Sequence, residues 1–190
     1  MPTNNVFQIL LVTRSVNQKQ TDITLSKHIT SRIYSNLEEI KDMLSQLIVS
    51  NLNVNRKIIL IIKDILSFPF DEQIQLVANS SIVIGMHGAG IAHTIAMPIG
   101  TKYCCGVVEI FPEGEYKQSY RGFGNMARGM GHIYERLDLL TDSSTNTTDS
   151  LGTKIPIKTL SKVVQKMING IDMKSSGSCF QTNVISNPFL

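Results

Sequence analysis

Residues 82–93 read Ile82-Val83-Ile84-Gly85-Met86-His87-Gly88-Ala89-Gly90-Ile91-Ala92-His93. An apolar, β-branched run passes into a turn of very small residues, and a helix is expected to begin there. A strand feeding such a turn and helix is the unit from which parallel α/β sheets are built. In open sheets of that kind, ligands bind outside the carboxyl ends of the strands. The first backbone N–H groups of a helix have no partner within it, and the dipole behind them favours an anion. Gly88 and Gly90 would let a phosphate approach the backbone closely, and His87 is positioned to donate a hydrogen bond into the crevice. A plainer reading fits the same residues: the glycines permit tight strand–helix packing, and His87 is a satisfied structural histidine. The local pattern leaves both open. The spacing Gly88-x-Gly90-x-x-His93 is not the dinucleotide fingerprint, because its third small position is missing.

Working outward, apolar runs of strand length alternate with segments of helical period. Val6 to Thr13 reads as a buried first strand and Lys57 to Ile62 as a second. Ser81 to Gly85 is the third, Val107 to Phe111 the fourth and His132 to Leu137 the fifth. Between them, Leu37, Ile40, Met43, Leu44, Leu47 and Ile48 recur at helical spacing, with Glu38 and Glu39 in the first turn where the dipole favours them. Phe70 to Asn79 reads as a short helix burying Ile74 and Val77. Gly90 to Met97 reads as another, stopped by Pro98. Ile157, Leu160, Val163, Val164, Met167 and Ile168 trace a last helix opening near Pro156. The expected fold is therefore α/β, a Rossmann-like parallel sheet with flanking helices. Residues 1–140 form the body of the domain, 141–154 a polar linker, 155–170 a helix completing the domain, and 171–190 a loose tail.

The chain has 190 residues, 42% of them hydrophobic, 17% charged, with a net charge of +3. One ordinary domain fits that length. A chain of this size buries about 70% of the surface its unfolded form exposes, so a core without disulfides is feasible. The net charge is too small for a dedicated nucleic-acid binder, and no dense Lys/Arg block is present. Three cysteines make no disulfide framework. The longest apolar run, Ile58 to Ile62, falls far short of the ~20 residues a membrane span needs, and the N-terminus shows no signal-peptide pattern.

Five motifs lie in order along the chain: Leu10-Leu11-Val12-Thr13-Arg14; Arg32 with Asn36-Leu37-Glu38-Glu39; Phe70-Asp71-Glu72-Gln73; Gly85-Met86-His87-Gly88-Ala89-Gly90-Ile91; and Val107-Val108-Glu109-Ile110-Phe111-Pro112. In this order they resemble glycosyltransferase family 61, which includes plant xylosyl- and arabinosyltransferases and the animal EGF-domain-specific O-linked N-acetylglucosamine transferase. The resemblance runs over residues ~6 to ~137. It implies inverting transfer of a hexosyl or pentosyl group from a UDP-sugar to a glycan or protein hydroxyl, without a metal or other cofactor. It also implies a GT-B scaffold, of which this chain supplies the C-terminal, donor-binding half, and a place in the ER or Golgi lumen. On it, Arg14 and His87 are the catalytic candidates, stabilising charge on the departing diphosphate. Arg14, His87, Gly88, Ala89, Gly90 and Glu109 are the donor-binding candidates, with Glu109 at the end of the fourth strand accepting from ribose or sugar hydroxyls. Arg32, Glu72 and Gln73 are expected as caps or supports. Residues 15–31 and the stretch Tyr103-Cys104-Cys105-Gly106 read as extensions of the family pattern. The acceptor surface, and with it the general base, would belong to the other half. The alternative is a non-catalytic nucleotide-sugar-binding or interaction domain.

Other signals carry less. Gly122-Phe123-Gly124-Asn125-Met126-Ala127 matches G-x-G-x-x-A but follows a polar run rather than a strand, and is read as a loop, with Tyr120, Arg121 and Asn125 as possible cleft residues. A lipase-like oxyanion turn would need a Gly-x-Ser-x-Gly elbow, which the chain lacks. The histidines fall on separate elements and the cysteines have no ligand spacing, so no metal site is expected.

Overall fold

A computed structural model of the chain describes residues 6–14, 32–51, 57–99, 105–112, 120–139 and 152–175. Five strands, β1 (Val6–Thr13), β2 (Lys57–Asp64), β3 (Ile82–Met86), β4 (Gly106–Phe111) and β5 (Ile133–Asp138), form one sheet in the order β2-β1-β3-β4-β5. Every pairing is parallel. The fold is α/β and Rossmann-like. β1, β3 and β4 occupy the middle, where both faces are covered, and their near-continuous apolar sequences suit that position. All five residues of β3 and all six of β4 are buried.

Because side chains alternate along a strand, the sheet has two distinct faces. Phe7, Ile9, Leu11, Ile82, Ile84, Met86, Val108 and Ile110 point to one of them. That face is covered by α1 (Leu37–Ser50), through Ile40, Met43 and Leu44, and by α5 (Ile157–Ser175), through Leu160, Val164, Met167, Ile168 and Ile171. Leu10, Val83 and Val107 point to the other face. Short helices cover it: α2 (Phe70–Ala78) with Val77, α3 (Ala89–Ala92) with Ile91, and α4 (Gly122–Gly129) with Ala127.

Asn36, at the N-cap position of α1, does not cap that helix with its side chain. Its amide instead donates to the Ile155 carbonyl at 3.0 Å and accepts from the Ile155 N–H at 2.9 Å. This ties the start of α1 to the entry of α5. Nearby, Tyr34 and Thr153 form an isolated parallel bridge.

Several boundaries differ from the sequence reading. The last helix runs on to Ser175, five residues past the expected end, so the expected tail begins inside it; residues 176–190 lie outside the described residues. Of the expected linker, only residues 152–154 are described. There the Thr153 N–H donates to the Ile33 carbonyl at 2.7 Å. The extension at residues 15–31 also lies outside the described residues, as do Tyr103 and Cys104 of the second one. In α2 the buried residues are Gln73 and Val77, with Ile74 only half-buried. Gln73 stays satisfied there because its amide donates to the Phe68 carbonyl at 2.8 Å.

The stretch at Gly122, expected as a loop, is the helix α4. Glycine lowers intrinsic helix propensity, but tertiary packing overrides it here. A Cβ on Gly124 would lie 2.9 Å from the Tyr134 ring, so only a glycine lets the helix sit this close to β5.

Candidate functional site

In the strand order, β2 lies to one side of β1, while β3, β4 and β5 follow on the other. The direction of winding reverses between β1 and β3, and such a switch point opens a crevice at the carboxyl ends of the two strands. Val12 pairs with Gly85, so Arg14 and His87 each stand two residues beyond that pair, side by side at the rim. Arg14 is half-buried and has no hydrogen-bond or ion-pair partner among the described residues.

The turn that follows β3 divides the work of its two glycines. Gly88 has φ +146°, a conformation that L side chains rarely adopt, and an added Cβ would stand 2.9 Å from the Arg32 guanidinium. Arg32, expected only as a support, therefore lies directly against this turn. Gly90 serves packing: a Cβ there would meet Val12 at 3.3 Å and Ile65 at 3.4 Å. For Gly90 the plainer reading of the sequence is the apt one. Ala89 opens α3, which is a single α-helical turn continued by a 3-10 turn over His93–Ala96. The expected helix over Gly90–Met97 is thus split, and its dipole is correspondingly smaller.

His87 and Glu109 come together beneath the rim. Glu109, expected at the end of the fourth strand as an acceptor for ribose or sugar hydroxyls, is the fourth residue of β4 and only 1% exposed. One carboxylate oxygen lies 2.5 Å from His87 Nδ1, and the other accepts from the Tyr134 hydroxyl at 2.6 Å. The His87 ring stacks on Phe111 with centroids 4.5 Å apart, and Tyr120 and Phe123 close around it at 4.6 and 5.4 Å. Arg136 lies over the far side of this cluster, 3.7 Å from the Phe111 ring centroid, and donates to the Tyr120 carbonyl at 2.8 Å. Arg128 stands 4.7 Å from the Tyr134 ring. Burial, reinforced by the hydrogen bond to Glu109, pushes the Tyr134 phenol well above its ordinary value, so the proton stays on tyrosine.

Tyr134, Phe111, Phe123 and Arg136 are site residues that sequence reasoning missed. A signal existed: a glutamate in the middle of a strand buried on both faces must find donors. The rest of the expected set is more scattered. Glu72 is exposed in the first turn of α2, and Arg121 and Asn125 are exposed at the start of α4. Burial lowers the pKa of His132 and raises that of the Cys105 thiol to about 12, which leaves Cys105 inert. Among the described residues, no group of three or more His, Cys, Asp or Glu is arranged to hold a metal ion. No helix among them is long and apolar enough to cross a membrane.

The sequence profile of the family described as glycosyltransferase 61 matches residues 5–104. The chain belongs to glycosyltransferase family 61. The match spans β1 through α3 and the 3-10 turn after it, so it contains Arg14, Arg32 and His87 to Gly90. Glu109 and its partners on β4 and β5 lie beyond it. Family 61 membership assigns the chain to the glycosyl-transferring enzymes, with a sugar donor and an acceptor as the partners of the reaction. Among curated proteins, none matches the chain.

Proposed function

We propose that this chain binds a UDP-sugar at the β1/β3 switch point and serves as the donor-binding half of a GT-B glycosyltransferase. The reaction would be an inverting transfer of a hexosyl or pentosyl group to a glycan or protein hydroxyl. The observation that carries this reading is that β1 and β3 bring Arg14 and the His87–Gly90 turn side by side at the rim. Arg32 supports it by lying against Gly88. In this arrangement the diphosphate rests over the turn between two arginines, whose planar, permanently charged forks suit phosphate oxygens.

As the sugar leaves, negative charge grows on the diphosphate. Groups fixed in place beforehand stabilise that charge without reorganising. Arg14 and His87 take this role, and the arginines neutralise the diphosphate without a metal or other cofactor. Family 61 proteins belong in general to the secretory pathway, which favours the ER or Golgi lumen as the place of action.

Calorimetric titration of UDP and a panel of UDP-sugars into the purified chain, with EDTA present, tests the proposal. Binding that survives EDTA and is lost in Arg14→Ala supports it. A folded wild-type chain that binds neither UDP nor any UDP-sugar overturns it, and binding abolished by EDTA overturns the metal-independent form.

A further inference from the structure

Arg32 belongs to residues 32–36, a short irregular stretch that leads into α1. An arginine side chain has many rotamers, and fixing it at an anion site costs conformational entropy unless its surroundings already hold it. The backbone that carries Arg32 is held by a distant segment, residues 152–155, at the entry of α5. Asn36 and Ile155, which meet there, are 119 positions apart in the chain.

A ladder of hydrogen bonds joins the two stretches. The Thr153 N–H donates to the Ile33 carbonyl at 2.7 Å, and the Ser35 N–H donates to the Thr153 carbonyl at 3.0 Å. The Asn36 amide donates to the Ile155 carbonyl at 3.0 Å and accepts from the Ile155 N–H at 2.9 Å. Gly152 permits the approach. Its φ is +114°, and a Cβ there would lie 2.6 Å from the Ile33 carbonyl oxygen, a backbone atom with little room to yield. Tyr34 and Ile155 are both buried in the core, and the Met86 backbone is the polar neighbour of the Tyr34 hydroxyl. Residues 32–36 are thus fixed between the end of β3 and the entry of α5.

We infer that Gly152 and Asn36 are positioning residues for the donor site: they clamp residues 32–36 so that the Arg32 guanidinium is held against Gly88 before a ligand arrives. Gly88 completes the seat from the other side, since a Cβ there would stand 2.9 Å from Arg32 Nη1, and Arg32 Nε is buried. A guanidinium fixed in advance meets a diphosphate without reorganising. Residues 152–155 lie outside the family match over 5–104, so a part of the chain beyond that match sets the geometry of a part within it. The clamp stands on the contacts; its use for a ligand rests on the proposed nucleotide-sugar site.

Hydrogen exchange of the arginine Nε–H groups, followed by NMR, tests the clamp without a ligand. Loss of one signal in Arg32→Ala assigns Arg32. Backbone amides of β4, at the centre of the sheet, report any loosening of the whole fold. In Gly152→Ala, exchange at Arg32 Nε should quicken about ten-fold more than at those amides. Asn36→Asp is the gentler variant. Aspartate suits the start of a helix and keeps an oxygen for the Ile155 N–H, but loses the donor to the Ile155 carbonyl. It should quicken Arg32 in the same way by a smaller factor, and it decides the matter if Gly152→Ala does not fold. Arg32 exchange that is unchanged in a folded variant, or quickened only as much as β4, overturns the inference.

Calorimetry with UDP-glucose, UDP-xylose and UDP-N-acetylglucosamine, below the melting range of every variant, tests the consequence. Gly152→Ala and Arg32→Ala should each weaken binding roughly ten-fold. The double variant should bind no more weakly than Arg32→Ala, because the clamp acts through that side chain. A clamp that serves folding alone would lower the melting temperature and leave the affinity of the folded chain as it was. That result, or losses that add, overturns the inference. The expected exchange pattern with no binding of any of the three sugars by the wild type upholds the clamp and counts against the nucleotide-sugar reading instead.

Discussion

The two faces of the sheet are built from the same strands and hold different interiors. Beneath α1 and α5 the packing is apolar, with Ile9, Leu11, Ile82, Ile84, Val108 and Ile110 buried against Ile40, Leu44, Leu160 and Val164. Beneath α2, α3 and α4 the strands contribute Gln8 and Glu109, and the turn contributes His87. Gln8 donates to the Ser80 hydroxyl at 2.9 Å and the Leu76 carbonyl at 3.1 Å, as Glu109 is served by His87 and Tyr134. The first face is held by burial, which is non-directional and tolerant of substitution by similar shapes. The second is held by directed hydrogen bonds, each of which leaves a stranded partner when broken. Long helices cover the dry face and short ones the polar face, where elements end close to the rim and the site.

The sharpest way to break this comparison is Glu109→Ala. It strands the buried His87 and the half-buried Tyr134 at once, so stability to urea should fall by about 3–5 kcal/mol. A loss under about 1 kcal/mol would mean that the polar face tolerates change as the dry one does. The His87→Ala/Glu109→Ala double variant should lose less than the sum of the two single changes, because each single change already removes the pair. On the dry face, Ile84→Ala should lower stability by about 2–5 kcal/mol through a cavity, and leave UDP-sugar affinity unchanged if the faces are energetically separate.

At the rim between the faces, Gly88→Ala places a side chain at φ +146° and against Arg32. It should destabilise by about 1–3 kcal/mol and weaken UDP-sugar binding in calorimetry. Intact binding would mean that the turn does not cradle the ligand.

The smallest effect concerns His132, buried near Thr94. Burial holds its pKa below the ordinary value, so the unfolded chain takes up the proton first as pH falls. Its contribution to stability is whole above about pH 6.5 and is lost as acidification proceeds toward the folded-state midpoint. Melting temperatures between pH 7 and 5 should fall less steeply in His132→Gln than in wild type. Equal slopes would place the acid sensitivity elsewhere.

Much of this organisation is legible in the chain. β1, β3 and β4 announce themselves as apolar runs, Pro98 and Pro156 punctuate helices where expected, and the small residues after β3 mark a tight turn. α4 escapes because three glycines in eight residues argue against a helix, and nothing local reveals that Gly124 makes room for Tyr134. The two glycines of the turn look alike in sequence, yet Gly88 answers a backbone requirement and Gly90 a contact with Val12 and Ile65.

The sequence by itself determined the alternation of strands and helices, the turn chemistry at Gly88, and the arginine that ends the first strand, because each depends on residues close together in the chain. Tertiary structure alone decided that β1 and β3 lie side by side, and that His87, Glu109 and Tyr134 meet. Glu109 stands 22 positions from His87 and 25 from Tyr134. Only parallel pairing in register, with its crossovers and buried faces, brings residues so far apart into one network, and the donors a buried carboxylate needs are fixed there rather than by any local pattern.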